Sequence, residues 1–203
     1  MTIDTKDMLN SILSSISRIE YVRPGDIPNI DLYMDQVTTF MEEQLRSTKR
    51  HEEDKILTKT MINNYAKNNL LPPPVKKKYS KEHVLVMIFI YYFKNILAIK
   101  DIETLLNPVT EKYFETGEEL NMTSIYEEIC RLEKSRIDTL QKDVARAYHS
   151  AINSFSSARE EDRDYLQVFS FICSLSFDVY VKKLLIEKLI DELPEPVHEK
   201  KKK

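Results

Sequence analysis

The chain has 203 residues, 42% of them hydrophobic and 31% charged, enough to bury a core in one large domain or two small ones. Glycine occurs only at Gly25 and Gly117, which argues against an open α/β sheet, a barrel or a glycine-lined phosphate cradle. The net charge of −3 is unevenly spread: residues 55–81 hold seven basic side chains and no acidic one, between two acidic regions.

In chain order, residues 5–20 place Met8, Leu9, Ile12, Leu13, Ile16 and Ile19 on one stripe and predict an amphipathic helix. Pro24, Gly25 and Pro28 break it. Asp31 is the expected cap of a second helix to about Leu45, with Tyr33, Val37, Phe40, Met41 and Leu45 facing inward. Residues 47–55 read as a solvated charged loop. Thr58 is the expected cap of a short helix to about Lys67. On it Lys59, Thr60, Asn63, Asn64 and Lys67 share one side, and Met61, Ile62, Tyr65 and Ala66 the other. That helix must stop before Pro72, because a residue ahead of proline is pushed out of the α region.

Ser80 is the expected cap of a helix to about Leu97, apolar almost all round and so the predicted centre of its unit; His83, near its start, is expected at the surface. A short helix across Ile102, Leu105 and Leu106 is expected to end before Pro108. Two long helices, about 123–155 and 160–192, joined by a polar turn at 156–159, predict an antiparallel hairpin. The second has more apolar surface than one neighbour can cover, so a homodimer is expected. PEPVHEKKKK reads as a disordered tail.

Other classes lose ground on chemistry. Cys130 and Cys173 sit in apolar helical patterns without a CxxC partner and read as reduced core residues of a cytoplasmic protein. The apolar runs 84–93 and 165–181 are too short or too polar for a membrane span. The four histidines lack metal-ligand spacing, and no serine or cysteine has a placed base. No catalytic residue, metal or cofactor is expected, and the chain is not expected to be an enzyme.

The basic island carries the functional signal. Asparagine can pair bidentately with the N6 and N7 edge of adenine in a major groove, and flanking lysines neutralise phosphates without reading sequence. The stretch LTKTMINNYAKNNLLPPPVKKKYSKEHV, followed by a helix pair, resembles the MerR-type DNA-binding domain. That domain has a capped helix ending in tyrosine, a G-L-L-P-P turn, a basic wing and a Y-S-x-E-x-V start to the next helix. With IPNIDLYMDQVTTFMEEQL upstream, residues 27–107 more closely resemble a family of predicted regulators known as domain of unknown function 1836, found mainly in low-GC Gram-positive bacteria.

The resemblance implies a winged helix-turn-helix. Thr58 takes the capping position, Thr60 and Asn63 fall where arginines usually contact DNA, Tyr65 falls on the second tyrosine of an R-Y-Y run, and Lys76, Lys77 and Lys78 stand in for the wing. The loop over 46–57 is longer than a helix-turn-helix turn, and the wing is short and lacks glycine. The expected DNA-binding set is Thr58, Lys59, Thr60, Asn63, Asn64, Tyr65, Lys67, Lys76, Lys77, Lys78 and Tyr79, although Tyr65 and Tyr79 read first as residues at the rim of the core.

The expectation is therefore an all-α protein, with a MerR-like winged helix-turn-helix followed by a long C-terminal helical hairpin. Its predicted parts are an N-terminal helix (1–24), a DNA-binding domain (25–108), a linker (109–121), the hairpin (122–193) and a tail (194–203). The expected function is a homodimeric transcriptional regulator that binds double-stranded DNA; the alternative is a helical protein–protein interaction module.

Overall fold

The structure is a computed structural model and describes residues 5–17 and 22–194. Ile19, the side chains of Met8 and Ile16, and the tail beyond residue 194 lie outside the described residues. Among the described residues the chain is mostly helical with one two-stranded sheet: α1 (Thr5–Ser17), β1 (Leu32–Tyr33), α2 (Met34–Leu45), a 3₁₀ turn (Arg46–Thr48), α3 (Lys59–Lys67), β2 (Lys78–Tyr79), α4 (Lys81–Phe93), α5 (Ile99–Tyr113), α6 (Met122–Lys134), α7 (Ile137–Ile152) and α8 (Glu160–Asp191). Two compact units result. One takes the described residues of Met1–Tyr21 with Arg131–Leu185; the other takes Val22–Cys130 with those of Ile186–Lys203.

The second unit is built on α4. His83 through Tyr91 are all buried, as an all-round apolar sequence requires. Val37, Met41 and Leu45 of α2, Ile62 and Tyr65 of α3, and Ile102 and Leu106 of α5 close around it. Met122 and Tyr126 of α6 complete the same core, so this unit runs well past the predicted boundary at residue 108.

Two element predictions are corrected here. Asp31 caps nothing: Leu32 and Tyr33 form a strand, and α2 begins at Met34, where Gln36 Oε1 accepts the Tyr33 N–H at 2.8 Å. The loop over residues 47–55 is largely exposed, as expected, and the chain is anchored just after it, because Ile56 and Leu57 are buried and the Lys94 ammonium donates to the Ile56 carbonyl at 2.7 Å. Finally, α5 does not stop before Pro108 but runs through it to Tyr113. Proline forfeits one helical hydrogen bond. Thr110 Oγ bonds the carbonyls of Leu106 and Asn107, and the buried face of Ile102, Leu106 and Thr110 holds both halves in line.

In the first unit, Leu9, Val144, Tyr148, Ala151 and Phe171 form a small core. The Gln167 amide donates to the Ile152 carbonyl at 2.7 Å, and Tyr148 meets Phe171 edge-on at 5.7 Å. Later residues of α8 thus meet earlier residues of α7, which is antiparallel pairing. The predicted helix over 123–155 is in fact two. Ser135 Oγ takes the Leu132 carbonyl at 2.6 Å and Arg136 N–H the Glu133 carbonyl at 2.9 Å, a tightened turn that ends α6. Cys130 is free and half-buried against the main core, as expected, whereas Cys173 is free but exposed and so is not the core residue expected.

Candidate nucleic-acid interface

α3 forms where the sequence places it. Thr58 Oγ accepts the Met61 N–H at 3.2 Å, satisfying a donor that the helix start would leave unpaired. Ile62 and Tyr65 anchor the inner face in the core. Lys59, Thr60, Asn63, Asn64 and Lys67 are all exposed, so the polar face meets solvent over its whole length. Thr58 itself is half-buried beneath its cap.

The helix ends on Asn69, whose φ of 58° is a left-handed conformation that asparagine tolerates. The Tyr65 carbonyl then accepts N–H groups from Leu70 and Leu71, both buried. This closure turns the chain into Pro72–Pro74 and aims it at a hairpin. Val75 and Lys78 exchange two backbone hydrogen bonds, at 3.1 and 2.9 Å, around a two-residue turn. Lys76 and Lys77 occupy that turn with φ of 51° and 64°. Two consecutive left-handed residues make a type I′ turn, which strongly favours Asn-Gly. A lysine there costs roughly 1–2 kcal/mol. The chain therefore holds two exposed ammonium-bearing side chains at a hairpin tip against its own backbone preference.

The far side of the hairpin is fixed by the sheet. β2 pairs antiparallel with β1, Leu32 opposite Tyr79 and Tyr33 opposite Lys78, and the Lys78 ammonium lies 5.3 Å from the Tyr33 ring centre. Tyr79 and Tyr65 are buried, and burial raises both phenol pKa values. The two tyrosines therefore belong to the core and drop out of the expected contact set, because neither ring presents a surface to a duplex. Lys59 forms an exposed ion pair with Asp35 of α2, a contact weak enough to yield to phosphate.

His83 is corrected from surface to core: it is 1% exposed. Its Nδ1 accepts the Ser80 backbone N–H at 3.0 Å, and its Nε2 lies 3.4 Å from the Pro73 carbonyl. Tyr79 and Phe114 meet the ring edge-on. One imidazole thus ties the proline segment to the start of α4. No spacing in the sequence marks it; only the three-residue offset from Ser80, the position of a capping box, could have done so.

Burial lowers the His83 pKa, outweighing the raising effects of the Pro73 carbonyl, Glu115 and Asp31. A histidine held neutral on folding contributes stability that is fully present above its ordinary pKa of 6.5 and is lost as the pH falls below it. Wild type should therefore lose stability to urea from pH 7 to pH 5 more steeply than His83→Gln, which keeps an acceptor for Ser80 but does not titrate. Parallel pH profiles would remove His83 from this role.

Among the described residues no group of three or more His, Cys, Asp or Glu is placed to hold a metal ion, and no helix is long and apolar enough to cross a membrane. No curated protein and no solved structure matches the chain. A family model does match residues 22–129, closely the span of the second unit up to Cys130; its description is "Domain of unknown function (DUF1836)".

Proposed function

The chain belongs to the DUF1836 family, and we propose that its family-matched unit is a DNA-binding module of a transcriptional regulator, with a MerR-like winged helix-turn-helix. The observation that carries this reading is the lysine pair held in left-handed backbone at the tip of the Val75–Lys78 hairpin. Strain persists where the surroundings enforce it and clusters at functional sites. A tip that needed only to turn would gain stability from Asn-Gly.

The order of elements supports the same reading. A strand leads into α2, a loop into α3, and a hairpin pairs back on that first strand. Asn63 and Asn64 on the exposed face of α3 supply amide donor–acceptor pairs for base edges; Lys59, Lys67, Lys76 and Lys77 supply charge for phosphates. A second reading, a protein-binding module, is favoured by Ile30, Tyr33 and Val75, which are large apolar side chains exposed on or near the β1–β2 ladder.

Selection from a random DNA library at low salt separates the two, since a protein-binding module enriches no sequence. For the regulator, about six of these eight basic groups per dimer meeting phosphate give log K a slope near −5 against log salt. Lys77→Glu should weaken binding to all sequences alike, whereas Asn63→Ala should relax the preference at one base position. A slope near zero would exclude phosphate-driven binding.

A further inference from the structure

We propose that two copies of this chain pair antiparallel through α8, with a two-fold axis passing between Ile172 and Cys173. The inference concerns the first unit and is independent of DNA binding.

Helix α8 is underused by its own chain. Phe171 is buried and Leu175 packs on the same small core, but on the opposite side the helix is bare. At 100° per residue, Tyr165, Phe169, Ile172, Phe177, Tyr180 and Leu184 fall within one stripe about 140° wide. Their exposure runs from 39% to 67%. With about 200 Å² for each large side chain, this stripe alone offers on the order of 700 Å² of apolar surface. A typical monomer's largest apolar patch is about 300–600 Å², and a stable interface buries about 800 Å² per partner. The stripe thus exceeds what a lone chain usually leaves in water and approaches what one copy of a dimer supplies.

Charge selects the direction. On or beside this stripe, the first turn of α8 carries Glu161 and Asp162, while Lys183 lies near its other end within this unit. A parallel pair would set acid against acid and lysine against lysine. An antiparallel pair sets Asp162 against Lys183, and that same register places Tyr165 opposite Tyr180, Phe169 opposite Ser176 and Ile172 opposite Cys173. Every one of these residues lies on the exposed stripe. Asp162 already pairs with Arg159 of its own chain at 2.9 Å, so the intermolecular charges fix register more than they add affinity. A second copy is the occupant that fits because the stripe is self-complementary in charge and in apolar spacing.

Sedimentation of the full chain without DNA is expected to give the mass of two chains at micromolar concentration. Phe169→Glu with Tyr180→Glu should raise the dissociation constant by about 100-fold or more while circular dichroism stays helical, because both residues are exposed in the single chain. A wild type that stays monomeric at high concentration, or a double variant that stays dimeric, would overturn the proposal.

Direction is read by spin labels in a Cys130→Ser background. Labels on Cys173 should lie within roughly 20 Å of each other, given interaxial distances of about 8–10 Å. Labels on Lys182→Cys, with Cys173→Ser added, should be separated by roughly 30 Å along the axis at 1.5 Å per residue. Two equally short distances would mean parallel helices and overturn the register.

Discussion

Replacing Lys76 with Asn and Lys77 with Gly is expected to make the protein more stable and a poorer DNA binder at once. Both lysines sit at positive φ, at the two positions where a type I′ turn favours Asn-Gly. Relieving both should add about 2 kcal/mol, allowing roughly 1 kcal/mol or more for each side chain moved out of a disfavoured region. Urea unfolding would show this as a higher midpoint with an unchanged slope, since the surface exposed on unfolding hardly changes. The same double variant removes two cations per chain from the hairpin tip. If both meet phosphate, the salt slope of binding should become shallower by about 0.9 for each phosphate that is no longer neutralised. A stability gain with unaltered DNA affinity would assign the lysines no part in binding, and no stability gain would mean that the turn carries no strain.

A second large effect is expected at Tyr126. Its ring is buried against Phe89, with ring centres 5.3 Å apart, and its hydroxyl donates to the Val22 carbonyl at 2.8 Å. It therefore joins the start of the second unit to α6, across more than a hundred residues of sequence. Tyr126→Ala should cost about 3–5 kcal/mol, the range for removing a buried aromatic ring. That is a large share of the roughly 5–15 kcal/mol by which domains are stable. Tyr126→Phe should cost about 1–2 kcal/mol, because the ring remains but the buried Val22 carbonyl loses this donor. Urea titration of both variants measures the difference, and equal losses would mean that the hydroxyl, not the ring, makes the interaction that matters. A chain ended after residue 108 lacks Met122 and Tyr126 altogether and should not fold cooperatively, whereas one ended after residue 130 retains both and loses only the part of this core from Ile186 and Ile190.

These two sites mark different limits of sequence reading. The helical face of α3 was legible because period, cap and proline stop all act within the fifteen residues from Thr58 to Pro72. The structure keeps that assignment residue for residue: Lys59, Thr60, Asn63, Asn64 and Lys67 outside, Ile62 and Tyr65 inside. The central role of α4 was legible for a similar reason, since a helix apolar on every side has to be surrounded. The α7–α8 turn was legible from its polar run between two apolar patterns.

Tertiary packing decided the rest. Pro108 reads as a helix stop locally, but Ile102, Leu106 and Thr110 lie on one buried face, and that burial outweighs one missing backbone bond. His83 reads as a polar surface residue until Ser80, Pro73, Tyr79 and Phe114 converge on its ring from four positions in the chain. The strained turn at Lys76 and Lys77 could not be read at all, because its residues are the wrong ones for it; it exists because β2 must meet β1 in register. The sequence by itself thus determined that α3 and α4 form, which face of α3 is polar and where the positive charge is concentrated, since propensity, periodicity and charge are local properties. The tertiary structure alone decided where the family unit ends, that His83 is withdrawn from the surface and how the lysines are presented. Those outcomes depend on packing between residues far apart in the chain, whose energies no short window contains.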